Sequence, residues 1–227
     1  MPVDTEPLYR TEPVAMHEPA VREIFRNTLI LGKPLAGSLD NFHLYEELSI
    51  GWYLLPENSG STVVVDAGTG TVVGYALVCT KPEEYNTWLR AQAWKVLRRN
   101  LWTFCTGQMS KTGRQFYSRR FLDSLTVVRS RQHHDASSVA HVHMNLRSEV
   151  RTGLVAFSLF LQVDTICRQA GFQSWIGEVN APEGARIRAL ERLVGEVIDI
   201  RRNRTASFFS GMKVNRLTVQ RSLPCEM

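Results

Sequence analysis

SVAHVHMNLRSEVRTGLVAFSLFLQVDTICRQAGFQSWIGEVN, Ser138 to Asn180, reads as strand, tight turn, long helix and strand. Val139 to Leu146 is β-rich, with His141 and His143 two apart and therefore on one face. Arg147 to Thr152 is polar and ends at Gly153. Leu154 to Ala170 is too long an apolar run for a strand. It repeats at Val155, Leu159, Val163, Ile166 and Ala170, which predicts a helix. Gly171 is a natural stop. Gln173 to Val179 alternates again, with Trp175, Gly177 and Val179 on one side and Ile176, Glu178 and Asn180 on the other. A strand that feeds a buried helix through Arg151, Thr152 and Gly153 leaves unpaired backbone N–H groups just beyond the strand's end. The helix macrodipole adds about half a positive charge there. Such a joint is an anion site. Gly153 lets a phosphate approach the backbone and Arg151 adds a permanent cation, so a pyrophosphate is the expected guest.

The rest of the chain frames this stretch. Its 227 residues suit one domain, 1–227, with an insertion. The apolar fraction of 44% and charged fraction of 22% are those of a globular chain with a real core. No run approaches the ~20 apolar residues of a membrane span. The start, MPVDTEPLYR, lacks a basic-then-apolar leader. The four cysteines show no metal-ligand spacing and suit reduced thiols. A cytoplasmic protein with no metal and no membrane partner is expected.

Residues 9–16 can form a first strand, weakened by Pro13. Glu18-Pro19-Ala20 starts a helix with Val21, Ile24, Phe25 and Leu29 inward, stopped by Gly32-Lys33-Pro34. From Asp40 a second helical pattern proposes Phe42, Tyr45, Leu48 and Trp52 as buried. Residues 61–79 read as a hairpin turning at Ala67-Gly68-Thr69-Gly70, and Gly74 suggests a bulge or a close backbone approach. Residues 81–136 are too long for a loop and should hold structure. Within them, Pro82 to Leu101 is helical, with Trp88, Ala91, Trp94, Leu97 and Leu101 on one face. This segment carries eleven Lys and Arg against four Asp and Glu, so the remainder of a chain of net charge +5 is slightly acidic. The field would draw an anion: a cofactor phosphate, an acidic acceptor or RNA. No RNA-binding motif accompanies it, so nucleic acid is not the expected partner. Pro182 to Val194 reads as a helix ended by Gly195, and Glu196 to Arg204 and Met212 to Leu223 as closing strands around a Ser210-Gly211 turn.

Residues 139–180 resemble the acyl-CoA binding core of the GNAT superfamily of N-acetyltransferases. The family's signature at this joint, Gln/Arg-x-x-Gly-x-Gly/Ala, is met here by Val150-Arg151-Thr152-Gly153-Leu154-Val155. Gly153 matches; Val150 and Val155 depart from the pattern. The order of the flanking elements also follows the family over most of the chain. The resemblance implies an α/β fold: a mixed, twisted sheet of six or seven strands flanked by helices, splayed beside the fourth strand, with 81–136 as a helical basic insertion. It implies transfer of an acyl group from acetyl-CoA, or another short acyl-CoA, to an amine of a small molecule or peptide. The cofactor would be held by Arg151, Thr152, Gly153, Leu154 and Val155, by the backbone of Met144, Asn145 and Leu146, and by Asn180. Where the family often has a thiolate-protonating Tyr, matching the helix after the fifth strand gives Glu191. The chain has no Tyr beyond Tyr117.

An amine acceptor must lose a proton before it attacks a thioester, and a positioned base serves that step. His141, His143 and Glu178 are the candidates. His133-His134-Asp135 forms a tempting cluster, but no Cys or carboxylate spacing supports a metal there. Backbone N–H groups at Met144 to Leu146 could polarise the thioester carbonyl. Two other readings stay open: a different acyl carrier or aminoacyl donor, and a non-catalytic CoA-binding module. A homodimer is open as well, since the Trp-bearing face of the insertion should dock on the core or on a second copy.

Overall fold

The computed structural model describes residues 8–31, 35–58, 60–131, 139–150, 153–184 and 187–223. In chain order the main elements are β1 (Tyr9–Pro13), α1 (Glu18–Thr28), α2 (Phe42–Ile50), β2 (Thr62–Asp66), β3 (Val72–Cys79), α3 (Pro82–Cys105) and α4 (Lys111–Arg131). Then follow β4 (Ala140–Leu146), α5 (Gly153–Gln169), β5 (Ser174–Pro182), α6 (Ile187–Leu193), β6 (Glu196–Arg202), α7 (Arg204–Ser210) and β7 (Val214–Ser222). The seven strands form one mixed sheet ordered β1-β2-β3-β4-β5-β7-β6, in which only β4 and β5 run parallel.

Alternation along the strands divides the apolar side chains between two layers. Val64, Ala76, Val142, Trp175 and Val219 meet Val155, Leu159, Val163 and Cys167 of α5 on one face. Val63, Val65, Tyr75 and Leu77 meet Val21, Ile24 and Phe25 of α1 and Tyr45 and Ile50 of α2 on the other. Each fully buried aliphatic side chain contributes roughly 1.5–3 kcal/mol. A polar tie locks α5 to the sheet. The buried Asp164 accepts from Trp175 Nε1 at 2.7 Å and pairs with Arg221, whose Nη2 lies 2.9 Å away.

The α5 helix and Gly171, in the left-handed region at φ 83°, stand where the sequence predicts them. Gly74 has both anticipated roles. The β2–β3 register shifts beside it, and a Cβ there would lie 2.3 Å from Leu146 Cδ2, so Gly lets β3 and β4 close. Four expectations are corrected. The first strand stops at Pro13 and a short 3-10 turn, Val14–Met16, takes its place. Phe42 and Leu48 are only half-buried, while Glu46 on the same helix is buried, held by Arg26 at 2.7 and 2.8 Å. β5 runs on to Pro182 because it stays paired with β7 as far as Val214, leaving α6 only Ile187–Leu193. Residues 204–210 are helical: Asn203 accepts from Ala206 N, and the buried Asp123 of α4 accepts from the Arg204 and Thr205 N–H groups.

The insertion is a pair of long helices. Asp40 accepts from Ser110 N and Oγ, and Tyr117 donates to the Asp40 carbonyl, pinning the start of α4 to the residues before α2. The buried side of α3 is Tyr85, Val96, Asn100 and Thr103, and Asn41 Nδ2 donates to both Asn100 and Thr103 at 3.1 Å. These polar contacts set the helix rotation. They turn Trp94 and Leu101 to the outside, against the face expected from the sequence, while Trp88 packs against the core.

Candidate functional site

The β4–β5 ladder ends early. Ala140, His141 and Val142 pair with Trp175, Ile176 and Gly177, and beyond that β4 stays with β3 while β5 stays with β7. A cleft opens between the two strands. Its first residues are His143 on β4 and Glu178 on β5, both on the α1/α2 face by alternation. The Arg147 N–H donates to the Val73 carbonyl, so by antiparallel alternation the Met144 N–H and C=O turn away from β3, toward the cleft.

His141 sits below the point of separation. Its Nδ1 lies 2.8 Å from Tyr53 Oη and its ring stacks on Tyr85, so it belongs to the packing between the sheet and α3. His143 stacks on Tyr75, with Phe25 at 6.0 Å. Asn145 Nδ2 donates to Tyr75 Oη at 2.7 Å, and that hydroxyl lies 3.4 Å from His143 Nδ1. Burial pushes the His143 imidazole down to about 4; Glu178 opposes this and Arg120 adds to it. His143 is therefore neutral at neutral pH.

Glu178 lies 3.5 Å from Arg216 Nη1. Arg120 of α4 adds a second guanidinium, 5.5 Å from the centre of the Tyr45 ring and within electrostatic reach of Glu178 and Asp123. Burial, with the like charge of Arg120 second, lowers the Arg216 guanidinium from its ordinary value. The cleft thus joins an imidazole, a carboxylate and two guanidinium groups. Arg216 is not singled out by the sequence, and Arg120 stands there only as one of the basic residues of the insertion. The insertion pattern gives no hint that Arg120 turns inward.

Beyond the C-terminal end of β4, the end at which the cleft opens, a short 3-10 turn, Ser148–Val150, leads to α5, which opens at Gly153. Arg151 and Thr152 lie outside the described residues, as does His133-His134-Asp135. The Val155 side chain is buried in the core under α5. The β-branched residue in place of the signature's Gly or Ala is thus accommodated by the sheet. Asn180 points to the α1/α2 face, where its Oδ1 accepts from Asn203 Nδ2 at 2.7 Å and so supports the cap of α7. Glu191 on α6 is exposed. Among the described residues no three His, Cys, Asp or Glu side chains are grouped to hold a metal, and no helix is long and apolar enough to cross a membrane.

No family model matches the chain, and no curated protein sequence matches it either. Solved structures do. SsHAT superposes with a TM-score of 0.60 at 15% identity, over 96% of this chain and 100% of its own. A GCN5-related N-acetyltransferase from Kribbella flavida gives 0.51 at 15%, covering 95% and 98%. A GNAT superfamily phosphinothricin acetyltransferase from Sinorhizobium meliloti, solved in complex with AcCoA, gives 0.51 at 16%, covering 96% and 89%. With the splayed β4–β5 pair and the helix that follows β4, these superpositions give the chain the fold of the GCN5-related N-acetyltransferases.

Proposed function

We propose that this chain transfers an acyl group from acetyl-CoA, or another short acyl-CoA, to the amine of a small molecule or peptide, by direct attack and without a covalent enzyme intermediate. The observation that carries the reading is the cleft that opens after Val142 and Gly177, with a helix start just beyond the end of β4. The opening N–H groups of α5, at Gly153, Leu154 and Val155, lack intrahelical acceptors and suit the CoA pyrophosphate. Arg151 and Thr152 adjoin them in sequence and add a cation and a hydroxyl. The rest of the cofactor would run along the open edge of β4 at Met144 to Leu146, with Asn180 across the cleft. The Met144 N–H is a donor for the thioester carbonyl as it gains negative charge.

The two titratable groups at the mouth then divide the work. When the Tyr75 hydroxyl donates to His143 Nδ1, the neutral imidazole carries its proton on Nε2 and offers a donor away from β3. Glu178 offers only acceptors when ionised, and it takes the ammonium proton directly or through one water. The free amine attacks the carbonyl carbon, the C–S bond breaks, and the nitrogen's surplus proton passes to the departing sulfur, directly or through water, so that the products are the amide and CoA thiol. Arg120 and Arg216 flank the carboxylate and position it.

The test is thiol release from acetyl-CoA with a panel of amines, joined to thermal unfolding with acetyl-CoA present. Ligand that binds only the native state raises the midpoint. Gly153→Glu should remove that rise through bulk and like charge. Absence of both a rise and calorimetric heat at millimolar acetyl-CoA in the unaltered protein would defeat the reading. Binding without thiol release to any amine would leave a CoA-binding module.

A further inference from the structure

A second cluster lies outside the cleft, where α4, α7 and the turn into β7 meet. Arg119, Arg202, Arg204, Phe208, Met212 and Lys213 line an open cavity of about 590 Å³. Four of its lining residues are cations and none is a carboxylate. The Arg119 guanidinium lies 3.6 Å from the centre of the Phe208 ring and is steadied by donation to the Gln115 carbonyl. Among the described residues, the acids that could neutralise the cluster are engaged or remote. Asp123 is spent on the α7 backbone and on Thr205, and stands 3.9 Å from Arg204. Glu183 pairs with Lys213, both side chains being exposed. Arg202 has no ion-pair partner among the described residues. Positive charge is therefore held over an apolar floor, Phe208 and Met212, each exposed by more than two-fifths.

The cavity belongs to the acceptor side of the protein. Phe116 of α4 packs against Phe209 of α7 within the core layer under α1 and α2, whereas α5 covers the opposite face of the sheet. Arg119 and Arg120 are consecutive on α4, so their side chains diverge by about 100° around the helix. One reaches the cleft and the other the cavity. Lys213, the residue before β7, is five residues from Thr218, the partner of Glu178, or about 17 Å at the strand rise.

We propose that this cavity binds the anionic end of the acceptor: a carboxylate or phosphate on an apolar or aromatic body, with the reacting amine on the order of 15 Å away. The proposal rests on the acyl-transfer reading for the word acceptor, but the cavity's affinity for anions does not. Planar guanidinium groups grip such oxygens in pairs, and clustered charge in a concave surface concentrates the field. The Arg119–Phe208 stack gives the ligand's apolar body a flat surface.

The experiment has a binding arm and a turnover arm. Calorimetry at low salt would compare phenyl phosphate, 3-phenylpropionate and benzyl alcohol, with acetyl-CoA absent and then saturating. The two anions should bind and the alcohol should not; their ratio tells phosphate from carboxylate. Arg119→Ala and Arg202→Gln, checked for unchanged unfolding midpoints, should each weaken anion binding at least tenfold, and saturating acetyl-CoA should leave it unchanged. Equal binding in both variants, or displacement by acetyl-CoA, overturns the assignment. In the turnover arm, ω-amino acids of increasing length should exceed their uncharged amides in kcat/KM by tenfold or more at the matching length, and Arg202→Gln should erase the preference. Turnover with no such preference overturns the acceptor role. Anion binding that is lost in the variants, with no turnover of any amine, supports the cavity while refuting acyl transfer.

Discussion

Replacing His143 by Gln should flatten the acid limb of the stability curve. In the folded chain this imidazole titrates at about 4, because it is half-buried and desolvated between Tyr75 and Phe25; the Glu178 charge opposes this and the Arg120 charge adds to it. In the unfolded chain it takes its ordinary value of 6.5. As pH falls through 6.5, the unfolded state gains a proton on this residue that the native state refuses until about 4. Stability is thus fully present above 6.5 and is lost between there and about 4. Over a gap of about 2.5 units, at about 1.36 kcal/mol each, the loss is about 3 kcal/mol, most of it reached by pH 4.5. The variant lacks this group and keeps every other titrating residue, so the difference between the two curves isolates it. Urea unfolding followed by tryptophan fluorescence at pH 7.5, 6.5, 5.5 and 4.5 measures both. Curves that stay parallel within about 0.5 kcal/mol, the usual scatter of additivity, would mean that His143 is solvated and charged like a surface histidine.

Three further outcomes follow from the same contacts. Glu178→Gln should lower kcat by about 10²–10⁴-fold and remove the acidic limb of the rate profile, whereas His141→Gln should act through stability, read as a lower unfolding midpoint at nearly unchanged kcat. Asp164→Ala leaves Arg221 and the Trp175 indole without their buried acceptor and should destabilise by about 3–5 kcal/mol in urea. Charge reversal at Arg98 and Arg99 should leave the acetyl-CoA dissociation constant nearly unchanged, because α3 packs in the layer of α1 and α2 while α5 covers the opposite face of the sheet; a large loss measured by calorimetry would bring α3 into the cofactor site.

Much of the fold was legible because its central residues obey one period at a time. Val155, Leu159 and Val163 keep helical spacing and all are buried; β4 and β5 alternate cleanly, so the faces of His143 and Glu178 could be assigned from parity. Legibility fails where polar groups decide the burial. The inward side of α4 carries Gly113, Phe116 and Asp123, while Phe121, Leu122 and Leu125 face out, so hydrophobic periodicity gives no sign of it. α7 exists because Asp123, some eighty residues earlier, accepts from its first N–H groups. No window of local sequence contains that information. The cleft was half legible for the same reason: His143 and Glu178 come from the sheet, whose register is local and periodic, but Arg120 and Arg216 gain their places only from tertiary packing.

The insertion's charge then has an explanation that composition alone could not supply. A solvated basic helix would keep its Arg residues on the outside and its aromatic residues within. Here the arrangement is partly reversed: Trp94, Leu101, Phe121 and Leu122 are exposed, while Arg120 is drawn in over Tyr45 and Arg119 over Phe208. Burying a guanidinium costs several kcal/mol unless nearby groups compensate it. The compensation for Arg120 is Glu178, Asp123 and the Tyr45 ring, and these come from three different elements. α4 is thereby tied to β5 and α2 through the cleft itself. A substitution that neutralises Arg120 should therefore disturb acceptor binding and the docking of α4 together, whereas one at Arg119 should disturb acceptor binding alone. Loss of acceptor affinity in Arg120→Met with an unchanged unfolding midpoint would refute that coupling.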